Sequence, residues 1–245
     1  ATDFFLMEKK ENIRSISLDE IRQALIEMGE KPYRAKQIFE WLWQKNCSTF
    51  SEMSNIPKPL RDKLEIGYYI DHINLKDQQI SSDKTIKCAF SIDEGQIIEG
   101  VLIPTSSRTT ACISSQVGCS LACKFCATGK LKLMRNLSPG EIVDQVVHLK
   151  NEAELRHGKP LTNIVYMGMG EPLLNYANML RSTELITSPD GLAMSPKRIT
   201  VSTAGIAKMI KRLGDDAVKF NLALSLHAAD DNKRSQIMEI NDSNN

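Results

Sequence analysis

The sequence has no long apolar run and almost no net charge. No stretch of its 245 residues approaches the ~20 apolar residues of a membrane-spanning helix. The N-terminal apolar run, Phe-Phe-Leu-Met, is too short for the core of a signal peptide. The net charge of +1 excludes a chain that is basic throughout, so a nucleic-acid-binding surface must be a local patch. These absences predict a cytoplasmic protein, in which thiols stay reduced.

Hydrophobic patterning divides the chain into three segments. Residues 1–68 predict a small basic helical domain, whose first helix starts with a capping box at Ser17 and Glu20. Residues 69–108 alternate apolar and polar side chains, which predicts a short antiparallel β segment with a hairpin turn at Asp93-Glu94-Gly95. Residues 109–245 alternate strands with helices in about four βα units. We therefore expect an α/β fold, with a partial barrel after the helical domain and the β segment.

Three of the six cysteines fall within eight residues. Cys119, Cys123 and Cys126 form a C-x3-C-x2-C motif after the first strand of the βα series. Three thiolates at this spacing can bind three irons of a cubane cluster and leave the fourth iron open to a substrate. Structural zinc usually takes four protein ligands, and no second C-x2-C pair follows, although Cys112 could be a distant fourth ligand. The spacing favours an iron–sulfur site, with zinc as the alternative.

Polar residues also end the next three predicted strands. Gly168-Met-Gly170-Glu171-Pro172 ends the second strand, Ser202 the third, and Ser225-Leu226-His227 the fourth. Glycine lets the backbone approach a ligand closely, and a carboxylate there can accept hydrogen bonds from an ammonium group. Each feature has a plainer explanation: a tight turn, helix capping by the serines, or a buried barrel histidine. Four successive strand ends with polar groups nevertheless suit a ligand site across a barrel mouth.

These motifs resemble the radical S-adenosylmethionine superfamily, and within it the dual-specificity 23S rRNA and tRNA adenine-C2 methyltransferases of the RlmN/Cfr family. The matching segments are residues 116–129, 135–137, 166–175, 201–205 and 224–228. The resemblance implies a radical-SAM partial barrel, truncated at its C-terminal end in this chain. It also implies a [4Fe–4S] cluster on Cys119, Cys123 and Cys126. S-adenosylmethionine is expected at a second set of residues: Gly170, Glu171, Ser202, Ser225, Leu226 and His227.

The resemblance further implies a mechanism. In the family, one S-adenosylmethionine methylates a cysteine, and a second supplies a radical that takes hydrogen from the methyl group. The resulting carbon radical adds to C2 of an adenine. The residue matching Glu99 then accepts the C2 proton, and the one matching Cys112 resolves the protein–RNA adduct. From the residues alone, Glu99 would be an exposed strand carboxylate and Cys112 a small buried side chain.

The methyl-carrying cysteine of the family lies beyond residue 245. The two remaining cysteines, Cys47 and Cys88, match no catalytic position. We therefore expect this fragment to be unable to complete methyl transfer.

Basic residues around the cysteine motif indicate an RNA partner. Residues 100–140 contain no Asp or Glu and carry five positive charges, at Arg108, Lys124, Lys130, Lys132 and Arg135. Such residues position an RNA through its phosphates. With the resemblance, they predict 23S rRNA and tRNA as partners, together with an electron donor such as a flavodoxin-type protein. The chain is expected to be a monomer without membrane association. The alternatives are a C8-adenine rRNA methyltransferase of the same family and a non-catalytic RNA-binding module with a structural metal.

Overall fold

A computed structural model of the chain describes residues 10–92 and 95–243. They form two compact units: the first extends to His72 and includes Pro189–Leu192, and the second contains the rest from Ile73 onward. Asp93 and Glu94 of the expected hairpin turn lie outside the described residues. In the described part of the chain, no helix combines the length and apolar composition that crossing a membrane requires.

The first unit is helical, as its patterning predicts. Its helices are α1 (Leu18–Glu27), α2 (Arg34–Trp43) and α3 (Lys58–Gly67), with two short parallel strands, β1 (Glu11–Asn12) and β2 (Tyr68–Tyr69). The capping box at the start of α1 is confirmed: the Ser17 hydroxyl accepts from the Glu20 N–H, and the Glu20 carboxylate accepts from the Ser17 N–H. Ile38 and Leu42 of α2 are fully buried, so the apolar stripe of this helix contributes to the core of the unit.

The second unit is built on a seven-stranded sheet. Its strands are β3 (Asn74–Ile80), β4 (Ile86–Ser91), β5 (Ile97–Pro104), β6 (Thr109–Cys112), β9 (Asn163–Tyr166), β10 (Ile199–Thr203) and β11 (Asn221–Leu224). Their order across the sheet is β11-β10-β9-β6-β5-β4-β3. Strand β3 pairs antiparallel with β4, β4 with β5, and β5 with β6. Strands β6, β9, β10 and β11 are parallel to one another. The parallel strands alternate with α4 (Pro139–His157), α5 (Tyr176–Thr187), α6 (Ala207–Asp215) and α7 (Asp231–Ile237). This α/β fold with four parallel strands agrees with the expected partial barrel.

The antiparallel strands belong to the same sheet as the parallel ones. Val101 of β5 lies opposite Cys112 of β6, and Cys112 lies opposite Val165 of β9. The structure therefore differs from the expected separate segment at residues 69–108, because most of that segment is hydrogen-bonded into the barrel sheet. The boundary between the two units falls after His72 instead. Alternation along the sequence predicts strands, but their pairing is a long-range property.

The two faces of this sheet differ in burial, because successive side chains of a strand point to opposite faces. On one face, Phe90, Leu102, Ala111, Ile164 and Val201 are 0% exposed. Helices α4 and α5 pack on this side: α4 contacts β5 and β6, and the α5 hydroxyl of Ser182 hydrogen-bonds Tyr166 of β9 at 2.7 Å. The opposite face is called the open face here. Its side chains are only partly buried, and they include Glu99, Val101, Cys112, Val165 and Thr200.

Truncating a side chain on the buried side of α4 should destabilise the second unit. Leu149 is 0% exposed and Leu155, on the same helix, is 77% exposed. Leu149→Ala should lower the free energy of unfolding by about 2–5 kcal/mol, because it leaves a cavity under the sheet. Leu155→Ala is the matched control and should change it by less than about 0.5 kcal/mol. Urea denaturation followed by circular dichroism measures both, and equal losses would contradict this orientation of α4.

Candidate functional site

The three clustered cysteines lie in a tightly closed loop, residues 118–132, which we call the cysteine loop. Two further short strands, β7 (Gln116–Val117) and β8 (Arg135–Asn136), pair at its base. A Cβ on Gly118 would lie 2.0 Å from the Lys132 carbonyl oxygen, and a Cβ on Gly129 would lie 2.7 Å from the Cys123 carbonyl oxygen. Gly118 also has a φ of +76°. The loop therefore closes through backbone contacts that no other residue type permits at these two positions.

A cavity of 270 Å³ lies between the cysteine loop and the ends of β9, β10 and β11. It brings together predicted site residues that are far apart in sequence: Cys119, Cys123, Cys126, Gly170, Glu171, Ser202, Ser225 and His227. Phe125, Thr203 and Met238 also line it, and sequence reasoning missed them. The position of Phe125 between Cys123 and Cys126 was a signal that could have identified it.

Glu171 is a buried carboxylate, 4% exposed, at the wall of this cavity. Its Oε1 accepts a hydrogen bond from the Leu173 N–H at 3.1 Å, and its Oε2 accepts one from the Ala204 N–H at 2.8 Å. Burial raises the pKa of Glu171, and the hydrogen bond from Ala204 opposes that shift. Glu171 thus joins the ends of β9 and β10. The Thr203 side chain also hydrogen-bonds this carboxylate. Three donors leave one of its four acceptor positions for a hydrogen bond from a ligand.

The two glycines before Glu171 serve a purpose that the sequence pattern did not reveal. A Cβ on Gly168 would lie 2.6 Å from the Ser114 Oγ, and a Cβ on Gly170 would lie 2.5 Å from the Gln116 Cβ. The glycines were expected to let the backbone approach a ligand. Both glycines line the cavity, but their immediate neighbour is the segment that follows β6. Their main role is therefore to let the segment after β9 pack closely against the segment after β6.

Ser202, near the end of β10, and Ser225, directly after β11, face each other. The hydroxyl oxygens of Ser202 and Ser225 are 3.1 Å apart. Neither serine is a helix N-cap, since Ile206 precedes α6 and Asp230 precedes α7. The capping explanation is therefore wrong, and both hydroxyls lie at the cavity.

His227 is held against the cysteine loop. Its backbone has a left-handed φ of +58°, which is uncommon for a residue other than glycine. Its ring lies 4.0 Å from the ring of Phe125, centroid to centroid. His227 is exposed, so it is not the buried barrel histidine of the plainer explanation. Leu226 is placed differently from the other predicted cofactor residues: its side chain is 48% exposed, and its carbonyl oxygen accepts from the Arg234 Nε at 3.1 Å.

Glu99 and Cys112 lie together on the open face. Directly opposite residues of paired strands share a face, so Cys112 lies on the side of Val101, and Glu99 lies two residues before Val101. The Glu99 Oε1 forms a 2.6 Å ion pair with the Lys87 Nζ. Burial raises the pKa of the Cys112 thiol, and a hydrogen bond from the Met167 backbone opposes this shift. Because Met167 also lines the cavity, Cys112 lies next to it.

Arg135 is less available to RNA than the sequence suggested. Its guanidinium group binds both carboxylate oxygens of Glu141 at 2.6 and 2.8 Å, and its Nε donates to the Gln96 side chain at 3.1 Å. This bidentate pair fixes the base of the cysteine loop to the start of α4. The other four basic residues are exposed: Arg108, Lys124, Lys130 and Lys132.

The donor set suits a cluster better than a single ion. Among the described residues, no three His, Cys, Asp or Glu side chains are arranged to hold one metal ion. A cubane takes one thiolate at each of three irons, so its ligands do not need to meet at one point. Cys119, Cys123 and Cys126 are partly buried and line one cavity, and burial raises the pKa of the first two thiols.

A methyl group at position 170 should disrupt the cavity wall. Gly158, at the end of α4, is the matched control because it also has a left-handed φ, but a Cβ there would have no neighbour within 4 Å. Gly158→Ala should lose about 1–2 kcal/mol of stability from backbone strain. Gly170→Ala should lose about 1–3 kcal/mol more, since its Cβ would overlap Gln116. Chemical denaturation of the two variants measures the difference, and equal losses would show that the contact with Gln116 imposes no constraint.

Comparison with known proteins gives two matching families. Residues 11–70 match the ribosomal RNA large subunit methyltransferase N-terminal domain, and residues 113–244 match the radical SAM superfamily. The superfamily match implies a [4Fe–4S] cluster and S-adenosylmethionine as cofactors, which fits the three cysteines and their cavity.

Individual relatives agree with these matches. The chain is 54% identical over 237 residues to a probable dual-specificity RNA methyltransferase RlmN of Cytophaga hutchinsonii, covering 97% of this chain and 65% of the relative. It is 45% identical over 235 residues to the dual-specificity RNA methyltransferase RlmN of Geobacter sulfurreducens, covering 96% of this chain and 63% of the relative. The chain thus spans just under two thirds of the length of these curated relatives.

A solved structure shares the fold. The crystal structure of a radical SAM methyltransferase from Sphaerobacter thermophilus matches with a TM-score of 0.87 and 38% identity, covering 95% of this chain and 68% of that one. The motifs, the fold and the sequence identities agree. The chain belongs to the RlmN family within the radical SAM superfamily.

Proposed function

We propose that this chain supplies the cluster and the cofactor cavity of a radical SAM methyltransferase that acts on C2 of an adenosine in 23S rRNA and tRNA. The proposal rests on one observation: three cysteines of one loop and polar residues from three strand ends line the same cavity. The names of the relatives, dual-specificity RNA methyltransferases, support an RNA substrate. The enzyme acts in the cytoplasm, where cysteine ligands stay reduced before a cluster binds.

The cavity residues divide the work of holding the cofactors. Cys119, Cys123 and Cys126 would hold the cluster as three thiolate ligands. Glu171 would accept a hydrogen bond from the ammonium group of S-adenosylmethionine, and the paired hydroxyls of Ser202 and Ser225 would hydrogen-bond its polar groups. Gly170, Leu226 and His227 complete this site through backbone and ring contacts. When bound, the two cofactors supply the methyl group and a 5′-deoxyadenosyl radical.

Glu99 and Cys112 carry the proton transfer and the release of product. Both lie on the open face, where a target adenine could reach them after it is flipped out of its RNA helix. Lys87 engages the Glu99 Oε1, so we assign Oε2 as the acceptor of the C2 proton. Burial raises the pKa of the Cys112 thiol, which is therefore protonated at neutral pH. The thiol must lose that proton before its sulfur can attack the sulfur of the methyl-carrying cysteine. A disulfide then forms, the sulfur–carbon bond of the adduct breaks, and its electron pair leaves with the methylated base.

The methyl-cysteine intermediate requires a cysteine other than the six present here. Cys47 is 1% exposed, and burial raises the pKa of its thiol to about 12. Cys88 is 0% exposed, on the buried face of the sheet, where the Gln78 amide lies 3.6 Å from its sulfur. Neither thiol is accessible to a methyl donor. This chain alone is therefore expected to cleave S-adenosylmethionine without completing methyl transfer.

The RNA is held by phosphate contacts near the cavity. Lys124, Lys130 and Lys132 are exposed on the cysteine loop, in a stretch without acidic residues, which favours a polyanion. Arg108 is exposed too, but it precedes β6 and so lies at the opposite end of the parallel strands from the cavity. An electron donor such as a flavodoxin-type protein reduces the cluster, and the enzyme acts as a monomer.

Removal of the cysteine ligands tests the cluster. After anaerobic reconstitution, the parent chain should hold about four irons and four sulfides, and the triple variant of Cys119→Ala, Cys123→Ala and Cys126→Ala should hold none. Cys112→Ala is the control and should keep the full content, since Cys112 is not a ligand in this proposal. Iron and sulfide assays with absorption spectra give the result. Stoichiometric zinc in place of iron, or metal loss in Cys112→Ala, would favour the zinc alternative.

Product analysis tests the chemistry. With a reductant, S-adenosylmethionine and RNA, the parent chain should release 5′-deoxyadenosine by uncoupled cleavage, in which the radical takes a hydrogen atom from the buffer or the reductant. It should form no methyladenosine. A version completed with the part of the Cytophaga hutchinsonii relative that this chain does not cover should form 2-methyladenosine, detected by mass spectrometry of nuclease digests. In that extended protein, Cys112→Ala should accumulate a covalent protein–RNA adduct, because nothing resolves it.

The other outcomes separate the alternatives. Formation of 8-methyladenosine alone would establish the C8 assignment instead. If neither protein produced 5′-deoxyadenosine, the non-catalytic RNA-binding module would be the better description.

A further inference from the structure

Arg234 of α7 is a buried cation, 6% exposed, that binds backbone oxygens at two strand ends. Its guanidinium group donates to the Ala204 carbonyl oxygen at 2.5 Å, to the Ser225 carbonyl oxygen at 3.5 Å and to the Leu226 carbonyl oxygen at 3.1 Å. It also donates to the side chain of Asn241. A planar guanidinium with five N–H donors can bind several oxygens at fixed angles, which an ammonium group cannot reproduce.

The backbone oxygens that Arg234 binds come from residues that line the cofactor cavity or directly precede one that does. Ala204 and Ser225 line the cavity, and Leu226 directly precedes His227, which also lines it. Ala204 is held from both sides, because its N–H donates to Glu171 and its carbonyl oxygen accepts from Arg234. Displacement of the guanidinium would therefore release the ends of β10 and β11 at the same time.

Helix α7 also contacts the cysteine loop. The Lys124 N–H, next to Cys123, donates to the Ile237 carbonyl oxygen at 3.0 Å, at the end of α7. Met238, directly after the helix, lines the cavity. One short helix thus touches both sides of the cavity: its last turn contacts the loop that carries the cysteines, and Arg234 holds the strand ends that carry the polar residues.

The charge of Arg234 is unusual for its burial. Within the described ranges, no carboxylate forms an ion pair with it, and carbonyl and amide oxygens alone surround the guanidinium group. A buried cation without a carboxylate partner is costly, and its hydrogen bonds must be satisfied by well-placed dipoles. Such an arrangement tolerates little movement of the carbonyl groups and so restricts the backbone of residues 204 and 225–226.

We propose that Arg234 is a positioning residue for S-adenosylmethionine: by binding the Ala204, Ser225 and Leu226 carbonyl oxygens, it fixes the strand ends that hold this cofactor beside the cluster. The inference rests on the proposed cofactor cavity and adds to it a residue that does not itself line the cavity. It predicts that a change at Arg234 weakens cofactor binding while the three cysteines still bind the cluster.

The test compares Arg234→Lys and Arg234→Met with the parent chain after anaerobic reconstitution. Iron and sulfide assays should give the parent content in all three. Titration calorimetry should then show a Kd for S-adenosylmethionine that is at least about tenfold higher in Arg234→Lys, because one ammonium group cannot bind all three carbonyl oxygens. Electron paramagnetic resonance of the reduced cluster should respond to S-adenosylmethionine in the parent, and should not respond in Arg234→Met at the same concentration.

Arg181→Met is the matched control, since Arg181 is an exposed arginine of α5 that pairs with Glu184. It should leave the Kd and the spectrum unchanged.

If Arg234→Met does not fold, the Arg234→Lys measurements decide. If cluster-loaded Arg234→Lys bound S-adenosylmethionine as tightly as the parent chain does, the inference about Arg234 would be overturned and the proposed function would stand. Loss of cofactor binding only in proportion to loss of iron would also overturn it, because Arg234 would then support the cysteine loop. A parent chain that binds neither cluster nor cofactor would overturn the proposed function, and the inference with it.

Discussion

The buried carboxylate of Glu171 is the constraint on which the cavity depends. A carboxylate away from water is costly unless donors satisfy it. Here the backbone N–H groups of Leu173 and Ala204 do so, together with the Thr203 side chain. The N–H of Glu171 itself donates to the Gln116 side chain at 2.8 Å. Glu171 therefore connects three segments of the chain: the one that follows β6, the one that follows β9 and the one that follows β10. Arg234 extends the connection to the end of β11, so hydrogen bonds join all four strand ends around the cavity.

This hydrogen-bonded wall is possible only because the backbones approach so closely. Gly168 and Gly170 pack against residues 113–116 at distances that exclude a Cβ atom, and Gly118 and Gly129 close the cysteine loop in the same way. Close backbone packing leaves few alternative conformations for the segments that carry the ligands. The cysteine loop and the strand ends thus face each other across a preformed cavity, which lowers the entropic cost of binding a cofactor.

The sequence predicted the parts of this protein that depend on local pattern. A capping box such as Ser17 with Glu20 acts within one helical turn, so its residues identify the helix start directly. The cysteine spacing likewise lies within one loop. Strand pairing could not be read in this way, because the antiparallel strands of residues 74–104 join the barrel sheet through contacts distant in sequence. The contacts of Arg135 and Arg234 were missed for the same reason. The identity of a basic residue does not show whether its side chain will bind a carboxylate, as Arg135 binds Glu141, a carbonyl oxygen, as Arg234 does, or water.

Burial has different consequences for different cysteines of this chain. It raises the pKa of Cys47, Cys88, Cys112 and Cys119 alike. Cys47 and Cys88 are buried and line no described cavity that could admit a metal, so their protonated thiols serve packing. Cys119 lies at a cavity, where a metal can take the place of the proton and stabilise the thiolate. Cys112 lies on the open face, where the proposed mechanism needs a base to remove its proton. The neighbourhood of each sulfur, rather than its exposure alone, therefore distinguishes the structural thiols from the proposed ligand and the proposed nucleophile.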